Sequence, residues 1–147
     1  MHLLAQEEYG LRCLVQLARH RGSSPLTILE IAAAEGLSPD YTAKLMRALR
    51  QGGLVMSTRG AAGGYRLARP AEEITLLEVL ESLEGSLAPI ECVNEAPGSE
   101  AGGLCGQQWV WQEIYADMRE RLAGTTLQDL VAHEREHERQ AATTYSI

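Results

Sequence analysis

Two cysteines are the residues best placed for chemistry. Cys92 and Cys105 bracket most of residues 86–106 (SLAPIECVNEAPGSEAGGLCG), a stretch with four glycines, two prolines and no hydrophobic periodicity. A loop of that length in a compact chain is characteristically functional or disordered. Glycines beside a cysteine let backbone N–H groups reach the sulfur, as iron–sulfur sites require. Two thiolates do not fill a cluster's coordination sphere, so oxygen or nitrogen ligands must complete it, from this chain or from a second copy. Zinc competes for the same thiolates and also needs two further ligands. Without metal, the pair can form a reversible disulfide that reshapes the loop. Cys13, beside Leu14 in an amphipathic stretch, reads as a small core hydrophobe. His133 and His137 are four apart on one helix face and could ligate a metal, although no third ligand lies near them in sequence. The chain has no Cys-x-x-Cys pair, the usual arrangement of a thiol oxidoreductase.

The elements that must position these groups centre on residues 37–67 (LSPDYTAKLMRALRQGGLVMSTRGAAGGYRL). Ser38 is an N-cap residue and Pro39 suits the first helical position, whose N–H needs no partner. Tyr41, Leu45, Met46 and Leu49 recur as one apolar face, and Gly52-Gly53 stops the helix. Leu54-Val55-Met56 and Tyr65-Arg66-Leu67 read as two strands joined by a small tip bearing Arg59. Preceded by a helix over 28–35, this makes a winged helix-turn-helix. From Tyr41 to Arg69 the chain carries Lys44, Arg47, Arg50, Arg59, Arg66 and Arg69 and no acid. Such a surface faces nucleic acid. Residues at the start of the recognition helix reach base edges, here Ser38, Asp40, Tyr41, Thr42 and Lys44. Asp40 can accept from a cytosine amino group or stabilise the helix N-terminus. Arg47 and Arg50 lie where phosphates are met, and Arg59 is placed for a narrow minor groove.

The charge is divided. Residues 1–70 carry nine Lys/Arg against five Asp/Glu, a net +4, and residues 71–147 carry four against fifteen, a net −11, giving −7 overall. A basic DNA-binding half and an acidic half with another task follow. The expected organisation is a winged helix-turn-helix over 1–70, a dimerisation and sensing region over 71–132, and a charged, flexible tail over 133–147. A long amphipathic helix is expected over residues 3–20, and Thr75 and Glu78 frame a capping box for a helix ending near Glu84. Residues 107–122 (QQWVWQEIYADMRERL) form a helix whose apolar stripe is too broad for one small core, so a second copy is expected against it. No signal peptide and no run of 18 apolar residues is present, so a cytoplasmic protein without membrane contact is expected.

The segments EYGLRCLVQLA, LSPDYTAKLMRALRQGGLV, STRGAAGGYRLARP and ITLLEVLESLEG, with a cysteine loop before a long helix, resemble the Rrf-two family of bacterial repressors, the IscR, NsrR and CymR type. The likeness spans about residues 1–132 and is most specific at the arginine-glycine wing followed by GGY. It implies a mainly α fold with a small β-wing and a long dimerisation helix, a homodimer, and double-stranded operator DNA as partner. It also implies no enzymatic activity. Many members hold a 2Fe–2S or 4Fe–4S cluster that senses nitric oxide, redox state or iron, and a few sense through thiols or metabolites. Cluster-binding members usually have three loop cysteines. Cys92 matches the first and Cys105 the last, with none near Gly98. Some relatives take an acidic ligand from the partner's first helix, and Glu8 stands at that place with Glu7 beside it. A relative with two loop cysteines adds a histidine one turn later, where this chain has Arg12. The expected cofactor is an iron–sulfur cluster, 2Fe–2S in preference to 4Fe–4S, on Cys92, Cys105 and Glu8. The alternative is a cluster-free thiol switch of Cys92 and Cys105.

Overall fold

The computed structural model describes residues 5–94 and 106–146, with the backbone alone at 91 and 92. Among these, α1 (Ala5–Arg19), α2 (Ile28–Glu35) and α3 (Pro39–Gln51) precede the hairpin β1 (Val55–Thr58) and β2 (Gly64–Leu67). Then come α4 (Leu76–Glu84), α5 (Gln108–Ala123) and α6 (Leu127–Tyr145), with short 3-10 turns at Ala71–Glu73 and Glu91–Asn94. The fold is thus mainly α with a small antiparallel wing, as expected.

Local chemistry sets most boundaries. Thr27, Thr75 and Thr126 each cap a helix, and their own backbone N–H groups donate in return to the carboxylates of Glu30, Glu78 and Asp129 respectively. Those backbone N–H groups hold all three carboxyls below the ordinary carboxylate range. The folded values are depressed, so this contribution to stability is present above that range and is lost as pH falls through the lowered values. The Thr75 and Thr126 caps also face one another: Leu76 N–H donates to Thr125 O at 2.9 Å and Leu127 N–H to Ile74 O at 2.9 Å. The starts of α4 and α6 are thereby stitched together.

One core serves the whole chain. Cys13, Leu14 and Leu17 of α1, Ile31 of α2, Leu45, Met46 and Leu49 of α3, and Leu54 and Val55 cluster with Ile74, Val79, Leu83 and Leu127. The division at residue 70 is thus one of charge, while the hydrophobic core runs across it. Burial pushes the Cys13 thiol up to about 12, which keeps it protonated and inert near neutrality.

The tail departs from expectation, and α1 buries an acid. Glu7 is fully buried, and neither carboxyl oxygen has a hydrogen-bond partner. It lies three and seven residues before buried Gly10 and Leu14, on the core side of the helix. A buried polar group without a partner is costly, so Glu7→Met, which keeps the unbranched shape, is expected to stabilise the fold by about 1–3 kcal/mol. A denaturation midpoint at or below that of the parent protein would refute this. The tail is helical to Tyr145, although most of its side chains after Val131 are exposed. Arg19, at the end of α1, reaches it with bonds to Glu134 at 2.9 Å and Glu138 at 2.8 Å, holding two turns that would fray alone.

Candidate nucleic-acid interface

The recognition helix starts where its chemistry dictates. Ser38 Oγ accepts from Tyr41 N–H at 3.2 Å, and Pro39 opens the first turn. At the far end Gly53, at φ +74°, takes the left-handed conformation while Leu54 N–H donates to Leu49 O at 3.0 Å. The buried face is Thr42, Leu45, Met46 and Leu49. Opposite it, Asp40, Lys44 and Arg47 follow one another at i, i+4 and i+7 and are exposed, as are Ser38 and Arg50.

Two residues expected at base edges sit elsewhere. Thr42 is fully buried and donates its hydroxyl to Ser38 O at 2.9 Å, so it builds the first turn and is closed to DNA. Tyr41 is half-buried, edge-on to Tyr9 with ring centroids 6.3 Å apart, and burial pushes its phenol up. The pair docks the start of the recognition helix on α1. Asp40 is left as an exposed first-turn carboxylate, because Ser38 carries the cap.

The wing is held more tightly than its glycines suggest. Thr58 pairs with Gly64 and Val55 with Leu67. Tyr65 N–H donates to Leu26 O at 2.7 Å and Leu26 N–H to Tyr65 O at 2.9 Å, so the segment before α2 acts as a third strand. Sequence reading missed this bridge; the one available sign was the short Pro-Leu-Thr stretch before the cap. Arg50 donates to Ser57 Oγ at 3.1 Å, tying the end of α3 to β1. Arg59 is exposed at the tip. Arg69 departs from the cationic strip, binding Glu78 at 2.8 Å and Glu73 O at 3.1 Å. Among the described residues Lys44, Arg47, Arg59 and Arg66 are exposed and make no ion pair.

Of the expected cluster ligands, Glu8 lies on the surface of α1 with its side chain 60% exposed and Arg12 at 3.8 Å. Arg12 is committed elsewhere, donating to Glu35 at 2.6 Å and lying over the Tyr9 ring at 5.3 Å. The backbone of Cys92 falls in the 3-10 turn against α5, and its side chain, like all of Cys105, is outside the described residues.

A capped recognition helix, a tethered hairpin with an arginine tip and a strip of unpaired cations define a winged-helix DNA-binding domain. The chain belongs to the Rrf2 family: the model of that family, described as an iron-dependent transcriptional regulator, matches residues 3–133. Protein rrf2 of Nitratidesulfovibrio vulgaris is 39% identical over 131 residues, spanning 89% of this chain and 87% of that protein. The structure of CymR, the global cysteine regulator of B. subtilis, matches at a TM-score of 0.75 and 32% identity over 90% of this chain and 98% of that one. IscR of T. potens matches at 0.74 and 32% over 93% and 90%. The protein is a DNA-binding transcriptional regulator, and its relatives are regulators rather than enzymes. Among the described residues no helix is long and apolar enough to cross a membrane.

Proposed function

We propose that the protein is a homodimeric repressor, acting in the cytoplasm, that binds a partly palindromic operator and is regulated through an iron–sulfur cluster held at the 86–106 loop. The observation that supports it best is α5. This helix of 16 residues has none buried; Trp109 is 64% and Ile114 49% exposed. Such a face calls for cover, and a twofold contact with a second copy supplies it. In this reading one protomer's α1 also supplies a ligand to the other's loop, as the family resemblance implies.

The donor set suits a cluster of the 2Fe–2S kind better than 4Fe–4S: Cys92 and Cys105 are soft thiolates, and Glu8 of the partner subunit offers an exposed carboxylate held only by a long contact to Arg12. The fourth ligand is not among these residues. When bound, such a group supplies one-electron redox chemistry. The chain's own part is to translate its state into geometry. Half-sites lie about 34–36 Å apart, so a small rotation of the two winged helices breaks register with DNA. In each half, Ser38, Asp40 and Lys44 face base edges, Arg47 and Arg50 face phosphates, and Arg59 enters the minor groove.

Arg59→Ala is expected to weaken operator binding by about 1–3 kcal/mol, read by fluorescence anisotropy at fixed salt. Unchanged affinity removes the wing from the interface. The cluster is tested by absorption, iron and sulfide assays on protein purified without oxygen. Visible bands are expected, lost in Cys92→Ala and weakened in Glu8→Ala. Protein that stays iron-free after anaerobic reconstitution sinks this reading. The second reading, a Cys92–Cys105 disulfide switch, would then stand; it is favoured by the presence of two loop cysteines instead of three.

A further inference from the structure

We propose that His133 and His137 form a two-imidazole clamp on α6 for a divalent transition-metal ion of the Ni²⁺, Cu²⁺ or Zn²⁺ class, separate from the cysteine loop. The two side chains are exposed and meet through their Nε2 atoms, 3.3 Å apart, with ring centroids 4.7 Å apart and planes at 84°. Two nitrogens each about 2.0–2.1 Å from one tetrahedral ion lie about 3.3 Å apart, so the spacing already matches the bite of such a metal. What the ion requires is that both Nε2 lone pairs turn toward it. This is a rotation of exposed rings, with the Nε2–H proton between them moved to the ring's other nitrogen.

The helix presents the pair reliably. Positions i and i+4 share one face, and both lie well inside α6, clear of its ends at Leu127 and Tyr145. The neighbouring acids are occupied. Glu134 and Glu138 accept from Arg19, Glu136 pairs with Arg139 at 2.6 Å and accepts from Gln140 at 3.1 Å, and Asp129 caps its own helix. Among the described residues no three His, Cys, Asp or Glu side chains converge on one point. The donors are therefore two neutral nitrogens plus water. That set selects borderline transition ions over Ca²⁺ and Mg²⁺, which take oxygen ligands. With two protein ligands the ion is exchangeable, unlike one in a closed four-ligand structural site.

The position gives the clamp a consequence. Glu134 and Glu138 occupy the same two turns as the histidines and hold Arg19 at the end of α1, in the DNA-binding half. An ion joining His133 to His137 stiffens those turns and so reinforces the docking of α6 on α1.

The test is Ni²⁺ titration by calorimetry on the untagged full chain and on the His133→Ala and His137→Ala variants, with thermal unfolding in parallel. Wild type is expected to take up one more Ni²⁺ per chain than either variant, and its Tm to rise further on Ni²⁺ addition than theirs. Metal taken up at Cys92 and Cys105 is common to all three proteins and cancels in the difference, so the outcome does not depend on the cluster reading. Both substitutions fall on exposed helix positions, and matching circular dichroism spectra confirm that the variants fold. Equal Ni²⁺ uptake by all three proteins overturns the proposal, as does a wild-type Tm that responds no more than those of the variants.

Discussion

Leu127→Ala is expected to destabilise the whole protein by about 2–5 kcal/mol, the cost of deleting a buried leucine and leaving a cavity. Leu127 is fully buried and belongs to one cluster with side chains from α1, α2, α3 and β1, while its backbone N–H bonds Ile74 O at 2.9 Å. It therefore fastens the acidic half to the basic half. Two probes separate the possibilities in a denaturant titration. Trp109 and Trp111 both lie in α5 and report on the acidic half, whereas far-ultraviolet circular dichroism reports on all helices. The expected result is one transition, shifted to lower denaturant and coincident in both probes. A tryptophan transition that moves while the dichroism midpoint of the remaining helices stays put would show that the halves fold independently. With total stabilities of about 5–15 kcal/mol, the loss is large enough to read without ambiguity.

The second large effect is expected at Gly64. Its φ of +148° is one that side chains rarely adopt, and a Cβ there would press on the backbone of the segment before α2, 2.7 Å from Leu26 C and 3.1 Å from Thr27 N. Backbone cannot swing aside as a flexible side chain can. Gly64→Ala must therefore break the paired bonds between Leu26 and Tyr65 or twist the hairpin, at an expected cost of about 2–4 kcal/mol. The same change releases the wing from its third strand. Operator affinity should fall by more than it does in Arg59→Ala, because the whole wing, Arg59 included, loses its aim. Thermal melting and anisotropy measured on the same preparations check both parts. A Gly64→Ala protein with parental Tm and affinity would mean that the bridge has no part in holding the wing.

Much of the recognition unit was legible before any coordinates. Ser38, Pro39 and Gly53 punctuate α3, and Thr75 with Glu78 opens α4, because caps and stops act within a few residues of themselves. The strands were placed from apolar residues at 54–56 and 65–67, whereas the ladder runs from Val55 to Thr58 and from Gly64 to Leu67. Backbone pairing carries into the tip, where side-chain type offers no signal. The site was legible in its charge but not in every member. Thr42 stands three, four and seven residues before Leu45, Met46 and Leu49, in the middle of the apolar face, so its spacing pointed inward while its hydroxyl suggested DNA.

By itself the sequence determined the periodic faces, the caps, the glycine stops and the one-signed charge from Tyr41 to Arg69, all properties of short-range chemistry. Only the tertiary structure decided which groups meet across long stretches of chain. Leu26 took Tyr65, Glu78 drew Arg69 out of the cationic strip, and Arg19 reached Glu134, 115 residues away, to hold the tail as a helix. The physical reason is that caps and periodicity act within a turn or two of helix, whereas a long-range pair forms only after the core has brought its partners together.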